Sequence, residues 1–164
     1  MNTCEHDHAS DRGLSGGALS TALLAAQTRC AAAGERLTPP RQRVLELLLQ
    51  TGQPAKAYDL IAIYGANGVA AKPPTVYRAL DFLVRQGLAH RIESLNAYMA
   101  CHLGERDHAA AFLICTCCND TLEIEPFEPE RTKAAAHRAG YELSDVVVEG
   151  RGLCAACARG RAAG

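Results

Sequence analysis

The residues best suited to chemistry in this sequence are its cysteines. Cys115-x-x-Cys118 and Cys154-x-x-Cys157 are two pairs at a two-residue spacing. Each pair can present two thiolates to one ion, and together they complete a tetrahedral four-sulfur shell that favours zinc. Cys117 is a spare thiol inside the first pair. A two-residue spacing grips a single ion more comfortably than an adjacent or one-residue pair, which selects Cys118 as the companion of Cys115. The 35 residues between Cys118 and Cys154 exceed those of a compact zinc ribbon, so the chain between them must make an excursion and return. A closed four-thiolate shell mainly contributes folding energy, and losing it unfolds a domain rather than tuning it.

A second group of possible ligands is mixed: His90, Cys101, His102, Glu105, Asp107, His108 and Glu123. Imidazole, thiolate and carboxylate together suit zinc, and a thiolate argues against a purely nitrogen and oxygen iron site. The group straddles Leu103 to Asp107, a Gly-containing, charge-rich stretch that reads as a hinge. A metal held from both sides of a hinge would fix the angle between two domains, as a sensor requires. Cys4, His6 and His8 lie in a polar, Gly- and Ser-containing stretch, residues 1–16, that reads as a mobile tail, and they are taken as incidental.

The third feature is a set of side chains on one predicted helix. Tyr77, Arg78, Asp81 and Arg85 fall outside its apolar set, and Thr75 stands at its start. Arginine can bond a guanine edge through two donors, tyrosine can touch a thymine methyl, and a helix N-terminus favours phosphate. Thr75, Tyr77, Arg78 and Arg85 are therefore the candidate DNA contacts.

The elements that must position these groups follow from punctuation and periodicity. An Ala- and Leu-rich stretch from Ala18 to Ala33 favours helix and stops at Gly34. Thr38 is a plausible N-cap before Pro39 and Pro40; Val44, Leu45, Leu48 and Leu49 give this second helix an apolar face that ends at Gly52. Ala57 to Tyr64 predicts a third helix, with Leu60, Ile61 and Tyr64 at helical spacing. Pro73 to Gln86 predicts a fourth that buries Val76, Ala79, Leu80, Leu83 and Val84 before Gly87. Short helices with short connections are the helix-turn-helix pattern. Leu88 to Ile92 and Ala97 to Cys101, around Ser94-Leu95-Asn96, then read as a hairpin, and a hairpin directly after a helix-turn-helix is a wing.

Beyond the hinge, Ala110 to Cys115, Thr121 to Ile124 and Glu142 to Glu149 predict strands, and Glu128 to Ala139 a helix stopped by Gly140. The fold class is thus α+β, with an N-terminal winged helix-turn-helix domain and a C-terminal α+β metal-binding domain. The expected boundaries are a tail at 1–16, the winged-helix domain at 17–101, a hinge at 102–109, the second domain at 110–158 and a tail at 159–164.

Bulk properties agree. With 164 residues, 48% hydrophobic and 21% charged, the chain can build two small domains. No apolar run approaches the roughly 20 residues of a membrane span, and Glu5, Asp7 and Asp11 make a poor signal peptide, so a cytoplasmic address and no membrane partner are expected. In a reducing compartment, eight cysteines are better suited to metal or thiol chemistry than to a disulfide framework. The net charge of −1 hides an asymmetry: Arg29 to Arg91 holds nine Lys and Arg against four Asp and Glu, whereas Cys101 onward holds seven against ten. The first half can face phosphate.

Several segments resemble the Fur family of metal-dependent repressors, in its zinc-uptake-regulator branch. They are Arg36-Leu-Thr-Pro, Ala57-Tyr-Asp-Leu, Ala71-Lys-Pro-Pro-Thr-Val-Tyr-Arg-Ala-Leu-Asp-Phe-Leu, Gln86-Gly-Leu-Ala-His, Cys101-His-Leu and Gly152-Leu-Cys-Ala-Ala-Cys. They span roughly residues 20–158, nearly the whole chain. The resemblance implies a homodimer joined through the second domain, acting on double-stranded palindromic operator DNA as a repressor of zinc-acquisition genes. It implies one structural zinc per subunit on Cys115, Cys118, Cys154 and Cys157, and one regulatory zinc on His90, Cys101, His108 and Glu123. It also makes Tyr77 and Arg78 the base-contacting pair and leaves His102 outside the ligand set. Within the same class, the rival reading is an iron-responsive or peroxide-sensing regulator. From another class, a zinc hydrolase or thiol oxidoreductase would need an open zinc position beside a base, or an exposed low-pKa cysteine pair. The matched regulatory set already has four protein ligands, so neither an enzyme nor a small-molecule substrate is expected.

Overall fold

The computed structural model describes residues 12–65, 72–101, 110–125, 129–143 and 146–162. Cys4, His6 and His8, and the hinge at 102–109 with His102, Glu105, Asp107 and His108, lie outside the described residues. Two compact units form, one from the described residues up to 101 and one from those beginning at 110.

The first unit opens with α1 (Gly16–Ala32), α2 (Pro39–Thr51), α3 (Ala57–Gly65) and α4 (Pro73–Arg85). Proline at the start of α2 and α4 costs no hydrogen bond, because the first amides of a helix have no internal acceptor. Thr38 occupies the N-cap of α2 in extended backbone, although its hydroxyl makes no cap bond with any described residue. Gly52 ends α2 at φ 59°, in the left-handed region that glycine enters without penalty. The backbone of Arg12 and Gly13 lies where a Cβ on Gly52 would stand, and the Leu14 amide donates to the Leu49 carbonyl at 2.8 Å. Residues 12–14 thus strap over the end of α2.

Val44, Leu45, Leu48, Leu60, Val76, Leu80, Phe82 and Leu83 are buried between these helices. Phe82 replaces Val84 in the expected buried set, and Val84 is only half-buried. The apolar stripe of α4 is wider on the side facing α2, where Arg41 lies 3.5 Å above the Phe82 ring.

A hairpin follows, β1 (Ala89–Ile92) and β2 (Ala97–Ala100), antiparallel with His90 opposite Met99. Its turn is a short 3-10 segment, Glu93–Leu95, closed by Asn96 at φ 46°. Ala55, ahead of α3, exchanges both backbone bonds with Tyr98 at 2.8 Å, which ties the hairpin to the helices. This is a winged helix-turn-helix.

The second unit contains β3 (Ala110–Cys115), β4 (Thr121–Ile124), α5 (Pro129–Arg138), β5 (Val147–Gly152) and α6 (Ala155–Ala162). The strand order is β4-β3-β5; β3 and β4 run antiparallel, while β3 and β5 run parallel from Ala110 opposite Val147 to Cys115 opposite Gly152. The strand expected at 142–149 therefore lies at 147–152. Its last three residues, Gly150, Arg151 and Gly152, pair through backbone alone, and Gly150 accommodates Leu113, whose Cδ2 would stand 3.1 Å from a Cβ there. Helix α6 has no forerunner in the sequence reading, which ended order at 158; the helix runs on through residue 162.

Candidate metal centre and nucleic-acid interface

The parallel register explains how two cysteine pairs 35 residues apart in sequence can meet. Cys115 ends β3 directly beside Gly152, which ends β5, so both strands leave the sheet at the same end. The Thr116 amide and hydroxyl both reach the Gly152 carbonyl, at 2.7 and 3.1 Å. After β3 the chain turns tightly through 116–118, and Asn119 takes the left-handed conformation at φ 61°. The Cys115 amide then meets the Asp120 carbonyl at 2.9 Å to begin β4. After β5, Cys154 follows within two residues, and Cys157 lies in the first turn of α6, where amide dipoles favour a thiolate.

The sulfurs of Cys115, Cys118, Cys154 and Cys157 all lie within 4.8 Å of one another. Zinc–sulfur bonds of about 2.3 Å at tetrahedral angles require sulfur edges of about 3.8 Å. The Cys118–Cys154 edge is 3.9 Å, close to that value. None of the seven described cysteines is in a disulfide, and Cys117 does not join the cluster.

The electrostatics suit metal uptake. Burial pushes the Cys115 thiol up, but amide donors from Cys118, Cys154 and Cys117 outweigh it and bring the thiol down to about 6. One of these donors, the Cys154 amide, lies 3.3 Å from the Cys115 sulfur. The Cys154 thiol is lowered chiefly by the Cys157 amide. Burial raises Cys118 to about 11, and the adjoining Cys115 sulfur adds to the rise against the Asp120 amide. A divalent cation overrides this sharing of protons by ionising every thiol it binds.

The mixed set is distributed between the units. In the first, His90 is on β1 and Cys101 follows β2, with the Cys101 amide donating to the Leu88 carbonyl at 3.1 Å. Diagonal neighbours across an antiparallel pair share a face, and the ligand atoms of His90 and Cys101 lie within 4.8 Å of each other. In the second unit, Glu123 sits on β4 opposite Phe112 and is only 7% exposed, an unusual burial for a carboxylate. The fourth candidate, His108, lies outside the described residues.

On α4, Tyr77, Arg78, Asp81 and Arg85 form one exposed stripe, while Thr75 is half-buried. Tyr77 is 48% exposed, high for a ring with a strong preference for burial. Behind this stripe, on β2, burial raises the Tyr98 phenol, with the Arg91 guanidinium opposing and Asp81 adding to the rise. Tyr98 therefore stays protonated beside this stripe. Sequence reasoning missed Tyr98 on β2 and Arg41 on α2, since neither strand alternation nor helix periodicity shows which other element a side chain meets.

Residues 32–150 match the model of the Ferric uptake regulator family. Over 138 residues, 82% of this chain and 80% of the relative, the sequence is 43% identical to the zinc uptake regulation protein of Escherichia coli strain K12. A solved structure of a zinc uptake regulator complexed with zinc and DNA is similar at a TM-score of 0.83 and 39% identity, covering 90% of this chain and 99% of that one. The holo form of XcZur is similar at a TM-score of 0.77 and 40% identity, covering 87% and 99%.

Proposed function

The chain belongs to the Ferric uptake regulator family, and on that premise we propose that it is a zinc-responsive transcriptional repressor. Loaded with zinc, it binds palindromic operators in double-stranded DNA as a homodimer and silences zinc-acquisition genes. The observation that carries this reading is the likeness, along most of the chain, to zinc uptake regulators, one of them solved with zinc and DNA.

Each subunit holds two zinc ions in this reading. Cys115, Cys118, Cys154 and Cys157 hold the structural one, supported by the fit of their sulfurs to a tetrahedron. His90, Cys101, His108 and Glu123 hold the regulatory one, supported by the closeness of His90 to Cys101 and the burial of Glu123. Regulatory occupancy shifts the population only insofar as zinc binds the operator-competent conformation more tightly than the others.

With four protein ligands in each shell no position is left for an activated water, which supports a regulator rather than an enzyme. Among the described residues no helix is long and apolar enough to cross a membrane. We place the protein in the cytoplasm, where thiols stay reduced.

Leu113 and Leu122 form an exposed cross-strand pair, with exposed Val148 on the same face of the sheet. An apolar sheet face of this kind supports the homodimer, whose two-fold axis matches the symmetry of a palindrome. Leu113→Asp is expected to convert the protein to monomer in analytical ultracentrifugation and to weaken operator binding with it; an unchanged dimer would move the interface elsewhere.

Gel shifts against the chain's own and neighbouring promoters, with zinc added or chelated, test the whole reading. Zinc-dependent retardation is expected, and retardation indifferent to chelation would overturn it. In the same assay Arg78→Ala should lose about 1–3 kcal/mol of operator affinity and relax specificity at one base pair.

A further inference from the structure

Arg29 stands in the last turn of α1, ahead of residues 32–150 that match the family. Buried Ala26 and Cys30 on either side fix its base against the core. Its half-buried guanidinium crosses to the end of α4, where Nη2 donates to the carbonyls of Gln86 at 3.3 Å and Gly87 at 3.2 Å.

These carbonyls lie where a helix leaves acceptors without internal donors and where its dipole is negative. Gly87, at φ 61°, sends its amide to Val84, and the Leu88 amide returns to Leu83, which closes the last turn onto earlier carbonyls. The Gln86 and Gly87 carbonyls follow those bonded ones in the chain, and Arg29 reaches both of them from α1. We propose that Arg29 is a positioning residue for DNA recognition: from α1 it clamps the C-terminal end of α4 and so sets how Tyr77, Arg78 and Arg85 are presented.

The inference rests on the DNA-reading role proposed for α4. Arg41 over Phe82 holds the flank of the helix, and Arg29 holds its end. Two-donor contacts to a base edge tolerate displacements of only about 0.5 Å. Arg85, one residue before the Gln86 C-cap, is the reading residue closest to the clamp.

The test uses full-length, zinc-loaded protein. Arg29→Met keeps the apolar stem and removes both donors. Operator affinity is expected to fall on the order of fivefold to tenfold. The slope of log affinity against log salt should stay unchanged, because Arg29 touches carbonyls rather than phosphate. The Gly87 and Leu88 amides should exchange faster, and Arg29→Lys, which restores a cation at the same carbonyls, should recover most of the affinity.

Unchanged operator affinity in the Met variant would overturn the proposal. So would a salt slope shallower by about one, the mark of a direct phosphate contact. Should the Met variant not fold, Arg29→Gln is read by the same measurements. If the unaltered protein fails to bind operator, the DNA-reading role of α4 fails by itself; faster exchange at Gly87 and Leu88 would still report the clamp.

Discussion

Serine in place of Cys118 is expected to unfold the second unit of the full-length protein while the first stays folded. A structural zinc shell contributes about 10–16 kcal/mol of apparent folding energy in small zinc domains. That matches or exceeds the about 5–15 kcal/mol that separates most folded domains from their unfolded chains. The unit has little to set against the loss. None of the described side chains of α5 is buried, and the fully buried large side chains of the sheet reduce to Phe112 and Thr121. Hydrogen exchange should show protection lost across 110–162 and kept across 12–101, with at least one zinc fewer per subunit. Cys117→Ser is the control and should leave both protection and zinc content intact. If Cys117→Ser unfolds the unit and Cys118→Ser does not, the fourth ligand is Cys117.

Cys101→Ser is expected to have the second largest effect, of the opposite kind. Both units should stay folded and the four-thiolate zinc should remain, while zinc no longer alters operator affinity. Driving a two-state protein from about 1:99 to 99:1 takes a ligand preference near 10⁴-fold, and a hydroxyl in place of the thiolate removes the softest donor of the proposed set. The coupling is reciprocal, so operator DNA should tighten regulatory zinc binding in the unaltered protein and fail to do so in the variant. Titration with a chromophoric zinc chelator, with and without operator, measures both halves. Zinc-dependent operator binding that survives the substitution would remove Cys101 from the sensing role.

The sequence declared its helices where side chains punctuate the backbone. Pro39-Pro40 and Pro73-Pro74 open α2 and α4, and Gly52 and Gly87 close them, because ring geometry and left-handed φ are local properties. The cysteine pairs were equally visible, since a two-residue bite is a local constraint. What stayed hidden depends on distant partners. Strand β5 ends in Gly-Arg-Gly, which reads as a loop until β3 pairs with it. Helix α6 carries Gly160 and no apolar stripe, so periodicity could not reveal it. Arg29 reaches carbonyls 57 and 58 residues away, and no spacing rule spans that distance.

The parallel pairing of β3 with β5 sets a timetable for biosynthesis. A ribosome delivers the chain from its N-terminus, and domains fold largely in that order. The winged helix can condense as soon as β2 emerges, since its contacts are comparatively local. The sheet of the second unit must wait for 147–152 to return to 110–115, and its sulfur shell stays open until residue 157 has been added. Long-range closure of this kind is slow. A chain still short of residue 157 therefore carries a finished winged helix ahead of a sulfur shell that lacks its last member.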